Sequence, residues 1–297
     1  MRENSPAVTV IIPCFNDGAF LSEALESLFA QTSFDWEAVV VDDGSTDPQT
    51  LNVLNSINHS KVLVHRHEKN RGLAAARNSG IRLTTAPIIF PLDADDQFVP
   101  ESVDIVIQAF NKHPSIDVFY PDVIHFGEEN RIRINPEFDI PTYLRQPFLQ
   151  AQSPFRRSAY AKSGGYCEHE VLRLGMEDAD FWLSLIETGA RFQRLPYSIY
   201  KYRIHRGSLS ERMQDNNYKI RSFIANRHRK ALFGSYRREY LHLGAIRSYR
   251  FAISRRHWKK VFMSALHVYQ HCLWPPRLWW RATWNIVDAL VHRKCIS

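Results

Sequence analysis

The sequence predicts an α/β fold, with a mostly parallel sheet flanked by helices and followed by a C-terminal helical extension. Two observations predict the sheet. Apolar runs rich in β-branched residues alternate with segments of helical periodicity over the first 125 residues. These runs are unbroken, as in parallel strands that are covered on both faces. A third observation predicts the extension, because the chain after residue 211 is basic, aromatic and helical in pattern.

The elements of the first half follow in order. Residues 8–13 (VTVIIP) predict the first strand, and leucines then recur at helical spacing after the start signal Asp17-Gly18. Further strands are predicted at residues 38–41, 61–65 and 87–92. Further helices are predicted to begin at Gly72 and at Pro100, since proline is favoured in the first turn of a helix.

The second half of the chain has weaker signals. Residues 126–175 are rich in turn-forming residues and lack a clear period, whereas residues 175–190 (GMEDADFWLSLIETGA) predict a helix with an apolar stripe. Residues 191–210 predict a strand that runs into a polar loop. We therefore expect two parts, an α/β domain over residues 1–210 and a basic, aromatic-rich extension over residues 211–297.

Composition indicates a soluble globular protein, with 23% charged and 44% hydrophobic residues. The four cysteines are scattered and include no C-x-x-C pair. This argues against a disulfide framework or a cysteine zinc site and is typical of a reducing cytosol. The first residues do not resemble a signal peptide. Since no uninterrupted apolar stretch reaches about 18 residues, we expect no spanning helix and a cytoplasmic location.

Charge is distributed unevenly along the chain, whose net charge is +7. From Lys201 to Ser297 there are 21 Lys and Arg residues against 4 Asp and Glu, whereas residues 1–200 contain 17 basic and 27 acidic residues. The extension also carries a cluster of tryptophans beside arginines: Trp274, Trp279, Trp280 and Trp284. Tryptophan beside arginine is typical of a segment at the surface of an anionic membrane.

Two alternatives remain open for the extension. It could be a helical appendage whose aromatic residues pack on the domain or on a second subunit, as in a homodimer. Nucleic acid is the other alternative, but we do not expect it, because no recognised nucleic-acid motif appears and the acidic first part would repel phosphate.

Polar segments follow three of the predicted strands at the point where each strand ends. They are PCFN (13–16) after the first strand, DDGS (42–45) after the second and DADD (93–96) after the fourth. Open parallel sheets bind ligands outside the carboxyl ends of their strands. The three segments should therefore converge on one crevice.

The DADD segment places Asp93, Asp95 and Asp96 close together, where their charges repel one another unless a positive group lies among them. Magnesium sites typically combine one or two carboxylates with substrate phosphates. A solvated acidic turn is the alternative for so short a pattern taken alone. Its position beside DDGS at the sheet edge favours a site for a divalent cation, Mn²⁺ or Mg²⁺.

The DDGS and PCFN segments also have two interpretations. Asp-Gly is common in turns, and Ser45 or Asp47 would cap the next helix. Alternatively, a carboxylate at the sheet edge accepts a hydrogen bond from the imide N–H of uracil while Phe15 stacks on the base.

Six segments occur in an order that resembles family-two glycosyltransferases: VTVIIPCFNDGAFLSEALESLFAQT, VVVDDGSTD, NRGLAAARNSGI, PLDADD, GMEDADFW and YRIHRGSLS. The resemblance covers residues 7–210. It implies the GT-A fold and transfer of a sugar from a nucleotide diphosphate sugar, usually with inversion at the anomeric carbon. The expected donor is a UDP-sugar, the expected cofactor is Mn²⁺ or Mg²⁺, and the expected acceptor is a glycan or a lipid-linked molecule.

The resemblance also implies roles for individual residues. The nucleotide sugar is expected to contact seven of them: Pro13, Phe15, Asn16, Asp42, Asp43, Arg77 and Asp93. Among these, Asp42 matches the carboxylate that recognises uracil. Asp95 matches the metal ligand, and His205 would complete the metal shell or donate a hydrogen bond to the diphosphate.

Asp178 matches the catalytic base, which removes the proton of the acceptor hydroxyl. Glu177 and Asp180 are close in sequence, but the three side chains point in different directions on a helix, so at most two face the crevice. The sequence departs from the family pattern in a longer stretch before this motif and in Ser184, where many members carry arginine. The first departure concerns the acceptor side, and neither removes the metal site or the base. A catalytically inactive nucleotide-sugar-binding protein in a membrane-associated glycan assembly is the alternative function.

Overall fold

The α/β fold class is confirmed by the computed structural model, which describes residues 5–254 together with Met263 and His267. Nine strands of these residues form one sheet. They are β1 (Val8–Cys14), β2 (Trp36–Asp42), β3 (Val62–Arg66), β4 (Ile88–Pro91), β5 (Gln97–Phe98), β6 (Val118–Gly127), β7 (Arg131–Arg133), β8 (Phe155–Arg156) and β9 (Phe192–Ile204).

Helices alternate with the strands in the first half of the chain and predominate after β9. They are α1 (Gly18–Phe29), α2 (Pro48–Ser56), α3 (Leu73–Arg82), α4 (Ser102–Lys112), α5 (Ile140–Arg145), α6 (Arg157–Ser163), α7 (Glu177–Glu187), α8 (Leu209–Arg212), α9 (Asn217–Arg227) and α10 (Gly234–Ser254). Short 3-10 turns precede α7 and α9. The helix starts predicted near residues 17, 72 and 100 are each found within about two residues, the usual uncertainty of helix ends.

The strand order is β3-β2-β1-β4-β8-β6-β9-β5, and β7 pairs with β6. The half formed by β1 to β4 is parallel, as predicted, since β1 pairs with β2 and β4, and β2 pairs with β3. In the other half, β6 and β9 are parallel, while β5, β7 and β8 pair with their neighbours in antiparallel fashion. The parallel half brings the carboxyl ends of β1, β2 and β4 to one edge.

Two hydrophobic clusters cover the two faces of the sheet. Because successive side chains of a strand point to opposite faces, Val8, Val10 and Ile12 belong to one cluster and Ile11 to the other. The edge strand β3 departs from this pattern, since Leu63 is 48% exposed. The unbroken apolar runs therefore indicate burial on both faces for the inner strands only.

The described part of the extension packs on the α/β domain. Ile220 and Ile224 of α9 and Tyr240 of α10 are buried in the same cluster as Trp182 of α7. An ion pair of 2.9 Å between Arg145 Nε and Glu239 Oε2 links α5 to α10. The domain division at residue 210 stays a prediction.

The tryptophan cluster at residues 274–284 lies outside the described residues. Among the residues that are described, no helix is both long and apolar enough to cross a membrane.

Candidate active site

A cavity of about 650 Å³ lies at the carboxyl ends of the parallel strands, within the usual size range of small-molecule sites. Its walls come from the segments after β1, β2 and β4, from the start of α7 and from the extension. Eight of the predicted site residues line it: Pro13, Phe15, Asp43, Arg77, Asp93, Asp95, Asp178 and His205. The sheet topology therefore brings together side chains that are up to 192 positions apart in the chain.

The segment after β1 offers an aromatic ring to the cavity. Pro13 and Phe15 line the cavity, and 42% of Phe15 is exposed, so its ring is available to stack on a planar base. Asn16 is not among the lining residues. It has a φ of 58°, which asparagine tolerates better than most residues, and its Oδ1 accepts a hydrogen bond from the N–H of Thr46 at 2.9 Å.

The DDGS segment is a turn, and its first carboxylate is buried within it. Asp42 Oδ1 accepts a hydrogen bond from the N–H of Ser45 at 2.8 Å, and Arg66 Nε lies 3.2 Å from Asp42 Oδ2. Asp47 caps α2, because its Oδ2 accepts from the N–H of Thr50 at 2.8 Å. Asp42 is 1% exposed and is not among the lining residues. Its contact with uracil stays a prediction.

Asp43 fixes the start of α3. Its Oδ1 accepts from the N–H of Arg71 at 2.9 Å and its Oδ2 from the N–H of Gly72 at 2.7 Å. Gly72 has a φ of 96°, in the left-handed region that favours glycine. His67 Nδ1 lies 2.6 Å from Asp43 Oδ1. With both oxygens engaged, the carboxylate of Asp43 holds the helix that carries Arg77.

Arg77 joins the acidic loop to the start of α7. The side chain is 0% exposed, its Nη2 donates to Asp93 Oδ1 at 2.7 Å and its Nη1 donates to Glu177 Oε1 at 2.5 Å. Burial disfavours the charge, but Asp93 and Glu177 outweigh burial and hold the pKa of Arg77 well above its ordinary value. This guanidinium therefore stays charged and connects two segments that lie 84 positions apart.

The remaining contacts of Asp93 and Asp96 are also made within the chain. Gln152 Nε2 donates to Asp93 Oδ2 at 2.9 Å and contacts Asp96 Oδ2 as well. Asp96, which is 1% exposed, accepts from the N–H of Arg203 at 2.8 Å. Burial, and then the charge of Asp95, raises the pKa of Asp96 well above its ordinary value. Repulsion within the DADD segment is thus moderated by partners from the protein itself.

Asp95 and His205 meet at the edge of the cavity. His205 Nε2 lies 3.1 Å from Asp95 Oδ2, and this hydrogen bond raises the pKa of His205. Asp17 also lines the cavity, where burial and the charge of Asp95 raise its pKa to about 6. Sequence reasoning treated Asp17 only as the start signal of α1, because a single acid before a helix gives no further signal.

Asp178 lies at the start of α7, next to the glutamate that pairs with Arg77. It lines the cavity, and its Oδ1 accepts from the N–H of Ala179 at 2.7 Å. Burial, and then the charge of Glu177, raises the pKa of Asp178 to about 7. A carboxylate with this pKa exchanges protons near neutrality, as a general base must.

Asp180 points away from the cavity, which agrees with the helical geometry of the MEDAD segment. Its Oδ1 lies 2.9 Å from His228 Nε2, and its Oδ2 lies 3.3 Å from Arg227 Nε. His228 Nδ1 in turn lies 3.1 Å from Glu187 Oε2. Asp180 therefore ties α7 to the end of α9.

The extension contributes to the cavity, which the sequence did not predict. The lining residues from this part of the chain include three arginines: Arg212, Arg221 and Arg247. The sequence does not identify these three arginines as cavity residues, because arginine is frequent throughout the extension and no motif marks them.

Residues 9–167 match the domain family described as Glycosyl transferase family 2. The chain belongs to this family. The succinoglycan biosynthesis protein ExoU of Rhizobium meliloti (strain 1021) is 31% identical over 228 residues, which cover 68% of this chain and 64% of ExoU. Two longer curated relatives are matched over 23% and 32% of their own lengths. The family-2 glycosyltransferase is thus similar to parts of larger proteins as well as to proteins of its own size.

Solved structures confirm the GT-A fold. S. aureus TarS (residues 1–349) in complex with UDP-GlcNAc has a TM-score of 0.68 and is 19% identical, with 89% of this chain and 81% of that chain covered. The mannosyltransferase PcManGT of Pyrobaculum calidifontis, in complex with GDP-Man and Mn²⁺, has a TM-score of 0.62 and is 17% identical. This match covers 97% of this chain and 81% of PcManGT.

The donor set of Asp95 and His205 fits a divalent cation of the kind that GT-A glycosyltransferases generally use. Carboxylate oxygen suits Mg²⁺ and Mn²⁺, and such sites often take their remaining ligands from substrate phosphates and water. Among the described residues, no group of three or more His, Cys, Asp or Glu is arranged to hold a metal ion. These two residues therefore fit a cation that the diphosphate of a bound nucleotide helps to hold.

Proposed function

We propose that this family-2 glycosyltransferase moves a sugar, with inversion, from a nucleotide diphosphate sugar to a hydroxyl of a glycan or lipid-linked acceptor. The observation that carries the proposal is the double pairing of Arg77. Its guanidinium bonds Asp93 of the acidic loop and Glu177 beside Asp178, and thereby sets the donor segment and the base in one cavity. A protein that only bound nucleotide sugars would have no need for a carboxylate with a pKa near 7 at that place.

The donor is held by the segments that follow β1, β2 and β4. Phe15 stacks on the base, and Asp42 accepts the imide N–H of uracil, which favours a UDP-sugar. Asp93 bonds the ribose and phosphate side of the nucleotide, and Arg77 holds that carboxylate in place. Asp95 and His205 bind Mn²⁺ or Mg²⁺, which neutralises the negative charge of the diphosphate when bound.

Transfer is a single displacement at the anomeric carbon. The acceptor hydroxyl oxygen attacks from the face opposite the diphosphate and forms the new C–O bond. The bond between the anomeric carbon and the diphosphate oxygen breaks, and its electron pair leaves with the diphosphate. Asp178 takes the hydroxyl proton as the oxygen attacks. One displacement inverts the configuration of that carbon.

The extension (residues 211–297) attaches the enzyme to the inner face of the cytoplasmic membrane. The support is compositional, namely the excess of arginine and lysine and the tryptophan cluster. Binding to anionic vesicles should weaken with salt, and Trp279→Ala with Trp280→Ala should remove the salt-resistant part. A stable dimer that ignores anionic vesicles would instead make the extension a subunit interface.

The proposed activity is tested by a donor screen. Purified enzyme is incubated with UDP- and GDP-sugars and with Mn²⁺ or Mg²⁺, and release of the nucleoside diphosphate is measured with and without glycan acceptors. Release from a UDP-sugar that requires the cation supports the proposal. Full release in EDTA would exclude metal dependence, and no release from any donor would favour a protein that only binds nucleotide sugars.

A further inference from the structure

Arg221 is a buried arginine without a carboxylate. It is 0% exposed, and the only hydrogen bond of its guanidinium within the described residues is donated by Nε to Asn217 Oδ1 at 2.8 Å. The guanidinium carbon lies 4.4 Å from the ring centroid of Tyr240. Both terminal nitrogens, Nη1 and Nη2, are buried without a hydrogen-bond partner among the described residues. Burying a charged donor in this state is costly.

The neighbours of Arg221 are further groups that can donate. Asn217 Nδ2 and the Tyr240 hydroxyl are likewise buried and have no hydrogen-bond partner among the described residues. Gly244 lies against the stem of Arg221, since a Cβ at that position would come within 2.7 Å of Arg221 Cδ. The contact between α9 and α10 thus accommodates the arginine and surrounds it with donors that lack an acceptor.

A second arginine shares this part of the cavity. Arg247 of α10 lines the cavity together with Arg221. Partial burial, and then the positive charge of Arg221, lowers the pKa of Arg247. Two cations side by side repel each other, and from residue 240 to the end of the sequence the only acidic side chain is Asp288. This stretch of the chain therefore supplies little negative charge to offset them.

The pair lies on the side of the cavity where Asp178 is found. Tyr143 also lines the cavity. Burial, and then the charge of Asp178, raises the pKa of Tyr143, while the charge of Arg221 acts on the same hydroxyl in the opposite direction. Asp95 and His205, in contrast, lie with Asp17 at the end of β1. A ligand at Arg221 and Arg247 would therefore sit beside the base.

We propose that Arg221 and Arg247 form an anion subsite for the acceptor, and that the acceptor of this enzyme carries a phosphate or a carboxylate near the hydroxyl that is glycosylated. The subsite rests on the proposed function, because it extends the acceptor side of the same cavity. An oxyanion would accept hydrogen bonds from the Nη atoms of Arg221, which have no partner among the described residues. Its negative charge would also offset the repulsion between the two guanidinium groups. The anion would also orient the acceptor so that its hydroxyl faces Asp178.

The test measures binding of small acceptor fragments by calorimetry in the presence of saturating UDP and Mg²⁺. Three probes are used: glycerol 1-phosphate, glucuronate and the neutral methyl glucoside. We expect at least one anionic probe to bind more tightly than the neutral one. Binding of glycerol 1-phosphate alone assigns a phosphate acceptor, and binding of glucuronate alone assigns a carboxylate acceptor.

Arg247→Gln should weaken binding of the anionic probe about tenfold, the usual effect of losing a charged hydrogen bond. The matched control is Arg238→Gln, an exposed arginine of the same helix that is not among the residues lining the cavity. It should leave binding unchanged. Equal binding of the neutral probe, or no effect of Arg247→Gln, would overturn the proposal. Loss of UDP affinity in Arg247→Gln would place the arginines in the donor site and would also overturn it.

Arg221→Met provides a second measurement, because it removes the charge and keeps a long side chain in the α9–α10 contact. The anionic probe should raise the melting temperature of the wild-type protein, as any ligand of the folded state does, and should not raise that of Arg221→Met. An equal rise in both proteins would contradict the proposal. UDP binding is measured on the same samples. If the wild-type protein does not bind UDP, the proposed function itself fails. If it binds UDP but not the anionic probe, only the anion subsite fails.

Discussion

Arg77 and Arg221 are both fully buried arginines that line one cavity, but their surroundings differ. Arg77 pairs with two carboxylates, at 2.7 and 2.5 Å. Arg221 pairs with none among the described residues and lies against the ring of Tyr240. Buried charges are normally paired. The charge of Arg77 is balanced by carboxylates of the chain, whereas the charge of Arg221 is not balanced by any carboxylate among the described residues.

The difference indicates how the two halves of the cavity are prepared. On the donor side, Asp93, Asp95 and Asp96 each have a partner in the chain, so the loop is organised before the nucleotide arrives. On the acceptor side, positive charge remains for the substrate to neutralise.

The largest effect is expected from Asp95→Ala. Losing the proposed metal ligand should lower turnover about a thousandfold or more, because a bound cation is worth several kcal/mol of charge stabilisation in such reactions. Turnover is measured by nucleoside diphosphate release. Asp104→Ala in α4, outside the cavity lining, is the control and should keep wild-type turnover. A fully active Asp95→Ala protein would exclude this carboxylate as a metal ligand.

Substitution of the two arginines by methionine should affect stability in different ways. Arg77→Met leaves Asp93 and Glu177 without their cation and should lower the free energy of unfolding by about 3–5 kcal/mol. Arg221→Met removes a charge that has no partner and should cost less than about 1 kcal/mol, or stabilise the protein. Urea denaturation measures both. Arg82→Met, an exposed arginine of α3, is the control for Arg77, and equal losses in the two buried variants would refute the contrast.

Asp178→Asn keeps the size of the side chain but removes its ability to take a proton. We expect turnover to fall about a hundredfold or more, the usual contribution of a general base. Saturating acceptor is used, so that the chemical step is measured. A variant that keeps its activity would show that Asp178 is not the base.

The smallest effects concern pH. Turnover should fall about tenfold for each pH unit below 7, since only the ionised form of Asp178 accepts a proton.

The folded state raises the pKa of this acid from 3.8 to about 7 and so binds more protons than the unfolded state in that interval. The stability attributable to this group therefore declines as the pH rises from about 4 to 7. Asp178→Asn should abolish this decline, which denaturation at pH 5 and pH 8 measures. If the stability of Asp178→Asn declined between pH 5 and pH 8 as much as that of the wild-type protein, the raised pKa would not belong to Asp178.

The parallel half of the fold was predictable because its signals are local. Each inner strand is a continuous apolar run, and each polar segment follows directly where a strand ends, so residues 93–96 and 13–16 could be placed at one edge. The helical spacing in MEDAD likewise limited how many acids could face the cavity, and Asp180 does turn away.

The rest depends on contacts between distant segments, which local patterns do not reveal. The pairing of Arg77 with Glu177 spans 100 positions, and Gln152 reaches the acidic loop from a stretch without periodicity. Strand β8 has two residues, too few to show alternation. The sequence does not single out Arg221, because arginine is frequent throughout the extension. Only the packing of α9 against α10 distinguishes it from exposed arginines.

The division of the cavity into a donor half and an acceptor half is tested most directly by calorimetric titration of UDP in the presence of Mg²⁺. The wild-type protein is compared with Asp95→Ala and Asp178→Asn. We predict that Asp95→Ala loses cation-dependent UDP binding, whereas Asp178→Asn binds UDP with wild-type affinity. A comparable loss in both variants, or in neither, would contradict the division.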